Sequence, residues 1–286
     1  MIAVTGATGA VGGRVAELLA ERGASLRLVV RDEERAPRIE GAEVAGGASY
    51  SDPDAMRRAF EGADTVFLVS AAEDRNRVDL HRNAVDAAVA AGARRIVYTS
   101  FFAAAPDTVF TFGRDHFHTE EHIKQTDLGW TFLRDNIYLD YVPVFAGADG
   151  VIRGPAGDGR VAAVAREDIA ASAAVVLTEE GHEGAAYDMT GPQAFTLAEA
   201  AEQVSQAAGR RVTYEAETLE EARASRAPSG APDWEIEGWV TSYAAIAAGE
   251  LESVSDAVER LTGRPPMSLA DFLRDQPDSY RHLLTT

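Results

Sequence analysis

A glycine-rich segment near the N-terminus has the residue types and the spacing that hold a phosphate group. The stretch TGATGAVG, from Thr5 to Gly12, follows a short β-branched run and precedes a helical pattern. Gly6 permits a sharp turn, Gly9 lets the backbone approach a pyrophosphate, and Gly12 lets the helix lie close to the sheet. A tight turn without a ligand is the alternative. The strand, the spacing and the helix together favour a dinucleotide site.

Backbone donors of the same segment complete this predicted site. The free N–H groups of Thr8, Ala10 and Val11 are expected at the N-terminus of the helix, where they would point at the anion.

The residue that follows the second predicted strand bears on which dinucleotide binds. Arg31 comes 19 residues after Gly12, where an acidic residue binds the 2′-hydroxyl of NAD or a basic one the 2′-phosphate of NADP. The planar guanidinium of Arg31 suits a phosphate, and Arg35 is placed to assist. Asp32 leaves the NAD alternative open, and an arginine on a solvated turn is the simplest alternative.

The stretch FGRDHFHTE, from Phe112 to Glu120, contains the candidate proton donor. His116 has an ordinary pKa near neutrality, so it could donate a proton or stabilise an oxyanion, although a lone helical histidine is more often structural. Glu120, one turn along the same helix face, could hold the imidazole or cap a neighbouring backbone group, and we expect a structural role for it. The i, i+2, i+6 spacing of the three local histidines does not place them on one helical face, so no metal site is expected.

Short strands that alternate with helical patterns must position these residues. Such alternation predicts βαβ units on a parallel, doubly wound α/β sheet of the Rossmann type. The predicted strands are Ile2–Val4, Leu26–Val30, Glu43–Ala45, Thr65–Val69, Arg95–Tyr98 and Trp130–Leu133. The predicted helices between them are Val11–Arg22, Pro53–Phe60, Val78–Ala91 and Arg114–Thr126.

The alternation breaks after Asn136. A hairpin is expected around the sequence GPAGDG, between Val151-Ile152 and Val161-Ala162. A helix from Arg166 to Leu177 and a strand at Ala186–Met189 are expected to return to the main sheet. We therefore expect a Rossmann domain over 1–150 with a return segment at about 160–190, and a smaller, mostly helical substrate or lid subdomain over 191–286.

Several motifs, in this order, resemble the atypical short-chain dehydrogenases/reductases. The chain carries Gly6-x-x-Gly9-x-x-Gly12, His81-Arg82-Asn83, Tyr98-Thr99-Ser100, His116-x-x-Thr119-Glu120 and Arg166-Glu167-Asp168-Ile169-Ala170. They are similar to the NmrA-like branch, and within it most of all to the bacterial type-2 NADPH-dependent quinone oxidoreductases. In that family an arginine at the position of Arg31 accompanies NADPH, so the resemblance implies NADP(H) as the cofactor.

The resemblance also implies an altered proton-donor site. Extended members of the superfamily pair a tyrosine with a lysine four residues later, and on that frame this chain has Phe112 and His116. Carbonyl reduction by the usual tyrosine mechanism is therefore not expected. Hydride transfer to a quinone needs no such tyrosine, because the product becomes aromatic and its oxygen can take a proton from water.

Residues that follow strands four to six are candidates for the substrate side. Ser70 and Ala71 follow the fourth strand and by position pass beside the nicotinamide ribose, with an ordinary loop as the alternative. By analogy with the family, Ser100 and Asn136 approach the nicotinamide or the substrate. The aromatic residues Phe101, Phe102, Tyr138 and Tyr141 are expected to form a flat apolar slot or simply to pack in the core.

These features predict an NADPH-dependent oxidoreductase that transfers hydride to quinones or similar flat, electron-poor acceptors. A non-catalytic NADP(H) sensor of the NmrA type is the main alternative, and a reductase or isomerase of a secondary metabolite is a third. An aromatic slot open to solvent beside the nicotinamide would favour the enzyme, and a filled slot the sensor.

Composition excludes several other classes. The 286 residues include no cysteine, and the net charge of −19 would repel nucleic acid. The N-terminus has no basic region before its first glycines, and no run of about 18 apolar residues occurs. We expect a cytoplasmic protein with a small aromatic substrate, without a membrane or nucleic-acid partner, and with a homodimer left open.

Overall fold

The computed structural model describes residues 1–284. Its strands are short and rich in β-branched and aromatic residues, as pleated, buried positions favour. They are β1 (Ile2–Thr5), β2 (Leu26–Val29), β3 (Glu43–Ala45), β4 (Thr65–Leu68), β5 (Arg95–Phe101), β6 (Gly129–Asp135), β7 (Val151–Gly154), β8 (Arg160–Val161), β9 (Ala185–Met189), β10 (Phe195–Thr196) and β11 (Thr213–Ala216).

Helices follow most of these strands. They are α1 (Ala10–Glu21), α2 (Pro53–Phe60), α3 (Arg77–Ala90), α4 (Thr111–Lys124), α5 (Arg166–Thr178), α6 (Leu197–Ala208), α7 (Leu219–Arg226), α8 (Asp233–Ala247), α9 (Ala257–Thr262) and α10 (Leu269–Asp275).

Seven parallel strands form the central sheet in the order β3-β2-β1-β4-β5-β6-β9. Helices α1, α5 and α9 pack on one face through one hydrophobic cluster, and α2, α3 and α4 pack on the other. Both faces are covered, so strands β1, β4 and β5 are buried almost throughout. The predicted doubly wound Rossmann fold is confirmed. Its strand order reverses between β1 and β4, where ligands bind in open α/β sheets.

The strands at the centre of the sheet are longer than predicted. Strands β5 and β6 pair in register from Arg95 with Gly129 to Phe101 with Asp135. Ser100 and Phe101 therefore lie within β5 and not after it. Mutual pairing accounts for the extension, because each strand completes the other's backbone hydrogen bonds to the end.

The predicted hairpin around GPAGDG is wrong. Strand β7 pairs in parallel with β11, and β8 pairs antiparallel with β10, so the two do not pair with each other. The hydroxyl of Tyr214 on β11 donates to the carbonyl of Gly154 and accepts from the N–H of Ala156. Partners about 35 residues along the chain for β8 and about 60 for β7 therefore replace the local pairing that the turn residues suggested.

A further hydrophobic cluster lies beyond the carboxyl ends of β5 and β6. It joins Phe101, Phe102 and Leu139 to residues of β7, β8, α6, α8 and α10. Helix α9 is an exception within 191–286, because Ala257 and Val258 pack into the core of the main sheet. The division at 1–150 and 191–286 stays a prediction.

Candidate active site

The glycine-rich loop between β1 and α1 is shaped by its glycines in different ways. Gly6 has a φ of +61°, a backbone conformation that L side chains rarely adopt. A Cβ on Gly12 would overlap the carbonyl oxygen of Gly6 and the backbone of Thr5, so the start of α1 needs this glycine to lie so close to β1. A Cβ on Gly9 would meet only the carbonyl oxygen of Gly6, at 3.3 Å. Gly9 is exposed and has no other atom within 4 Å of that position, which fits close approach of a pyrophosphate.

The N-terminus of α1 offers backbone donors to that space. Thr8, Gly9 and Ala10 are exposed, whereas Val11 is buried. Gly9 caps the helix, and no side chain within residues 1–284 bonds the first turn. The first N–H groups of a helix have no intrahelical partner, and the helix dipole adds partial positive charge. The loop therefore fits the diphosphate of a dinucleotide.

Arg31 is the second residue after the end of β2 and is exposed. In the described part of the chain its side chain makes no hydrogen bond or ion pair. The neighbouring Asp32 is engaged, because its carboxylate accepts from the N–H of Glu34 at 3.1 Å and caps a short 3₁₀ turn. This arrangement leaves the guanidinium of Arg31 available to an anion.

A cavity of about 760 Å³ opens where β4, β5 and β6 end. Ser70 and Ala71 line it from the loop after β4, Ser100 from β5, His116 from α4, and Asn136 from the end of β6. Its walls are aromatic: Phe101, Phe110, Phe112, Tyr138, Tyr141, Phe145, Trp239 and Tyr243. Of the four predicted aromatic residues, Phe102 does not line the cavity but packs in the core with Leu139 and Val142.

Helix α8 closes one side of the cavity. The indole Nε1 of Trp239 donates to the carboxylate of Glu73 at 3.1 Å, which joins α8 to the loop after β4. Gly238, beside it, lies against the ring of Phe112, and a Cβ there would overlap that ring. Phe112 is buried and also contacts Trp234 edge to face, with ring centroids 6.0 Å apart. Phe112 is thus a wall of the cavity and a contact for α8.

His116 is buried and lies at the inner end of the cavity. Its Nδ1 is 2.9 Å from the hydroxyl of Tyr98. Burial, aided by the positive charge of Arg77, holds the pKa of His116 well below its ordinary value. The imidazole is therefore neutral near pH 7.

Glu120 neither holds the imidazole nor caps a backbone group, so both suggested partners are wrong, although its contacts are those of a structural residue. Its buried carboxylate accepts from Arg134, through Nε at 2.8 Å and Nη2 at 2.6 Å, and from the hydroxyl of Ser100 at 2.6 Å. The guanidinium matches the carboxylate with two parallel bonds, which a single histidine cannot do. Ser100 therefore lines the cavity with its hydroxyl already donated to Glu120.

Asn136 is buried, and both ends of its amide are engaged. Its Nδ2 donates to the carbonyl of Leu251 at 3.0 Å, and its Oδ1 accepts from the N–H of Ile137 at 2.8 Å. The side chain joins the end of β6 to the segment that follows α8. Any contact of Asn136 with a ligand is in addition to this bridging role.

A model of a family described as NAD(P)H-binding matches residues 6–180, more than half of the chain. The chain belongs to this family. The match includes the glycine-rich loop, Arg31 and His116. It ends between α5 and β9.

Proteins of known name are similar to this chain over nearly its whole length. It is 37% identical over 285 residues to the (4-alkanoyl-5-oxo-2,5-dihydrofuran-3-yl)methyl phosphate reductase of Streptomyces griseus, covering 98% of this chain and 99% of that one. It is 33% identical to the NAD(P)H azoreductase of Xenophilus azovorans, covering 96% and 97%. The structure of an Escherichia coli NADPH-dependent quinone oxidoreductase complexed with NADPH has a TM-score of 0.88 at 32% identity, covering 96% and 99%.

The predicted relationship to the type-2 quinone oxidoreductases is confirmed by these matches, and so is the prediction of an NAD(P)H-dependent oxidoreductase. No helix within residues 1–284 has the length and apolarity needed to cross a bilayer.

The structure also brings residues to the site that the sequence did not single out as functional. Tyr98 and His81 are buried beside His116, and Trp239 and Tyr243 line the cavity from α8. Trp239 and Tyr243 are four residues apart and so share one face of α8. That spacing was the sequence signal that could have predicted an aromatic wall on this helix. Nothing in the spacing of Tyr98 and His81 indicated that they meet.

Asp135, at the end of β6, is a further buried residue at the cavity. It accepts from the hydroxyl of Tyr138 at 2.9 Å, and burial raises the pKa of its carboxyl well above the ordinary value. Burial therefore favours the protonated form of Asp135.

The local histidines do not form a metal site. His122 pairs with Asp86 at 2.7 Å, and His118 is exposed, whereas His116 points to the cavity wall. Among residues 1–284 no cluster of three or more histidine, aspartate or glutamate side chains is arranged to hold a metal ion.

Proposed function

We propose that this protein reduces quinones or similar flat, electron-poor aromatic acceptors by direct hydride transfer from NADPH. The observation that carries the proposal is the open cavity with aromatic walls at the carboxyl ends of β4 to β6, in the same sheet edge as the glycine-rich loop. NADPH is a cofactor of the cytoplasm, and we propose that the protein acts there.

The residues that would hold the cofactor lie along this edge. Gly6, Gly9 and Gly12 shape the loop for the diphosphate, with the N–H groups of Thr8, Ala10 and Val11 as donors. Arg31 would pair with the 2′-phosphate and so favour NADPH over NADH. Ser70 and Ala71 would pass beside the nicotinamide ribose. When bound, NADPH supplies the hydride.

Anchored backbone keeps the loop after β4 in place for this role. The N–H of Ser70 donates to the hydroxyl of Thr99 at 2.8 Å, and the N–H of Ala71 donates to Nε2 of His81 at 2.8 Å. Side chains on β5 and α3 therefore hold the backbone of this loop in place without a ligand. Such preorganisation reduces the entropy lost on binding.

The aromatic walls suit a planar acceptor. The rings of Tyr138 and Tyr141 are stacked, with centroids 5.8 Å apart and planes 22° apart. Trp239 is held by Glu73 on the opposite element, so its indole cannot rotate freely. Stacking of a flat ring on fixed aromatic side chains costs little conformational entropy. A flexible aliphatic ketone would gain far less from these walls.

The chemistry requires positioning more than acid catalysis. Reduction adds one hydride and one proton to a quinone, and the aromatic product provides the driving force. Phe112 cannot donate a proton, and the imidazole of His116 is neutral, so water that enters the open cavity supplies the proton. The residues of the cavity hold the acceptor in line with the nicotinamide, which can lower a barrier by several kcal/mol, roughly 7–11 in favourable cases.

The test is NADPH consumption by the purified protein against a panel of acceptors. We expect oxidation with quinones and with an azo dye, and little with a simple aliphatic ketone. An NADP(H) sensor would bind the cofactor in titration calorimetry and consume none with any acceptor. Rapid reduction of the ketone would instead indicate an ordinary carbonyl reductase and would overturn the proposal.

A further inference from the structure

A chain of buried hydrogen bonds leads from the loop after β4 to His116, and it determines where the protons lie. The N–H of Ala71 is 2.8 Å from Nε2 of His81. A backbone N–H can only donate, so Nε2 of His81 is the acceptor and carries no proton. Burial holds the pKa of His81 well below its ordinary value, so the ring is neutral and its proton is on Nδ1.

The next step passes from His81 to Thr119. Nδ1 of His81 is 2.8 Å from the hydroxyl oxygen of Thr119. That hydroxyl donates its own hydrogen to the carbonyl of Asp115 at 2.8 Å, so it accepts the Nδ1–H of His81. The directions of these bonds are therefore consistent with one tautomer of His81.

Tyr98 lies between the two histidines and has one hydrogen to donate. Its oxygen is 3.4 Å from Nδ1 of His81, which carries a proton and cannot accept. Its oxygen is 2.9 Å from Nδ1 of His116. The hydroxyl of Thr119 is also bonded to Tyr98, but it already accepts from His81, so we assign the Tyr98 hydrogen to Nδ1 of His116 at 2.9 Å.

We infer that Tyr98 fixes His116 in the tautomer that carries its proton on Nε2, and that this N–H is the hydrogen-bond donor for the acceptor's oxygen. His116 lines the cavity, and within residues 1–284 its Nε2 makes no hydrogen bond. Tyr98 is then a positioning residue, and His81 orients it. The role of this N–H toward the acceptor rests on the proposed function, whereas the assignment of the His116 tautomer does not depend on it.

The consequence for the reaction is specific. A neutral Nε2–H stabilises negative charge that develops on the acceptor's oxygen as hydride arrives, and His116 keeps its proton throughout. The proton that completes the reduction comes from water in the cavity. In the opposite tautomer Nε2 would present a lone pair to the same oxygen and would repel it.

The tautomer can be measured without any turnover. Protein labelled with ¹⁵N-histidine, with signals assigned by His81→Gln and His116→Gln, should show His116 protonated on Nε2 and His81 protonated on Nδ1. His116 protonated on Nδ1 in the wild type would overturn the inference. Tyr98→Phe removes only the hydroxyl, and we expect His116 to populate both tautomers in that variant. Unchanged His116 signals in Tyr98→Phe would show that Tyr98 does not fix the ring.

Kinetics test the link to the substrate. With a quinone, Tyr98→Phe should lower kcat by about tenfold, the worth of one neutral hydrogen bond, and leave KM for NADPH nearly unchanged. The matched control is Tyr187→Phe, because Tyr187 bonds Nδ1 of His182 at 2.8 Å, outside the cavity. We expect no change in kcat there. Equal kcat values for Tyr98→Phe and wild type would remove the donor role, whereas a wild type without turnover would contradict the proposed function and leave the tautomer standing.

Discussion

Phe112 on α4 and Gly238 on α8 lie in direct contact, and the far end of the phenyl ring is directed at the backbone of α8. In many short-chain dehydrogenases/reductases this position on the helix carries the tyrosine that donates a proton. Here the same position joins the Rossmann sheet to the helix that closes the cavity. The ring at this position therefore serves as a wall of the cavity and not as a proton donor.

Phe112→Tyr therefore should not create a ketone reductase. The added hydroxyl would enter the space next to Gly238 and not the cavity, and overpacking of this kind costs about 1–3 kcal/mol. We expect a lower Tm and no turnover of a simple ketone. Phe117→Tyr on the same helix is the control, since Phe117 is only partly buried, and its Tm should match the wild type. Brisk ketone reduction by Phe112→Tyr would contradict this account of the site.

Arg31→Ala should remove most of the preference for NADPH. A charge-assisted hydrogen bond contributes about 1.5–3 kcal/mol, which corresponds to roughly 10- to 150-fold in the dissociation constant. Binding of NADH should change little, because NADH has no 2′-phosphate. Arg38→Ala, another exposed arginine of the same loop, serves as the control in titration calorimetry. An equal loss of affinity for NADPH and NADH would show that Arg31 does not bind the 2′-phosphate.

Two glycine variants separate the site from the fold. Gly9→Val should abolish NADPH binding with a much smaller loss of Tm than Gly12→Ala, because Gly9 is exposed, has an extended backbone, and a Cβ there would meet only the carbonyl oxygen of Gly6 at 3.3 Å. Gly12→Ala should lower Tm, because its Cβ would overlap the backbone of Gly6. The Tm and the NADPH affinity of both variants are measured by thermal unfolding and by cofactor titration. Tight NADPH binding by Gly9→Val would place the diphosphate elsewhere.

His116→Ala should reduce quinone turnover by at most about 100-fold, the low end for a general acid. Because burial lowers the pKa of His116, the ring is neutral above that pKa and loses its neutral form only as the pH falls through it. The ordinary histidine value is about 6.5, so wild-type kcat should not change with His116 ionisation between about pH 6.5 and 8. A loss of 10⁴-fold or more would mean acid catalysis, as would a fall in kcat as the pH rises through about 6.5.

Sequence patterns predicted the sheet because each βαβ unit is a local signal: the runs around Ile2, Leu26 and Thr65 all became parallel strands of it. The hairpin prediction failed because β7 pairs with β11, far along the chain. The sequence left open whether Phe102 lines the slot or packs in the core, because residues that follow a strand can face either, and the structure places it in the core. The side-chain partners of Glu120 and the environment of Tyr98 depend on elements brought together only by folding.

Direct hydride transfer is the central claim, and the fate of the hydride tests it. A triphenylmethane dye is an electron-poor aromatic acceptor whose reduction forms a carbon–hydrogen bond that does not exchange with water. The measurement is mass spectrometry of the reduced dye after reaction in ordinary water with NADPH deuterated at both C4 positions. The account predicts one deuterium on the central carbon of the dye. A reduced dye that carries hydrogen from solvent, or a protein that consumes no NADPH with either this dye or a quinone, would contradict it.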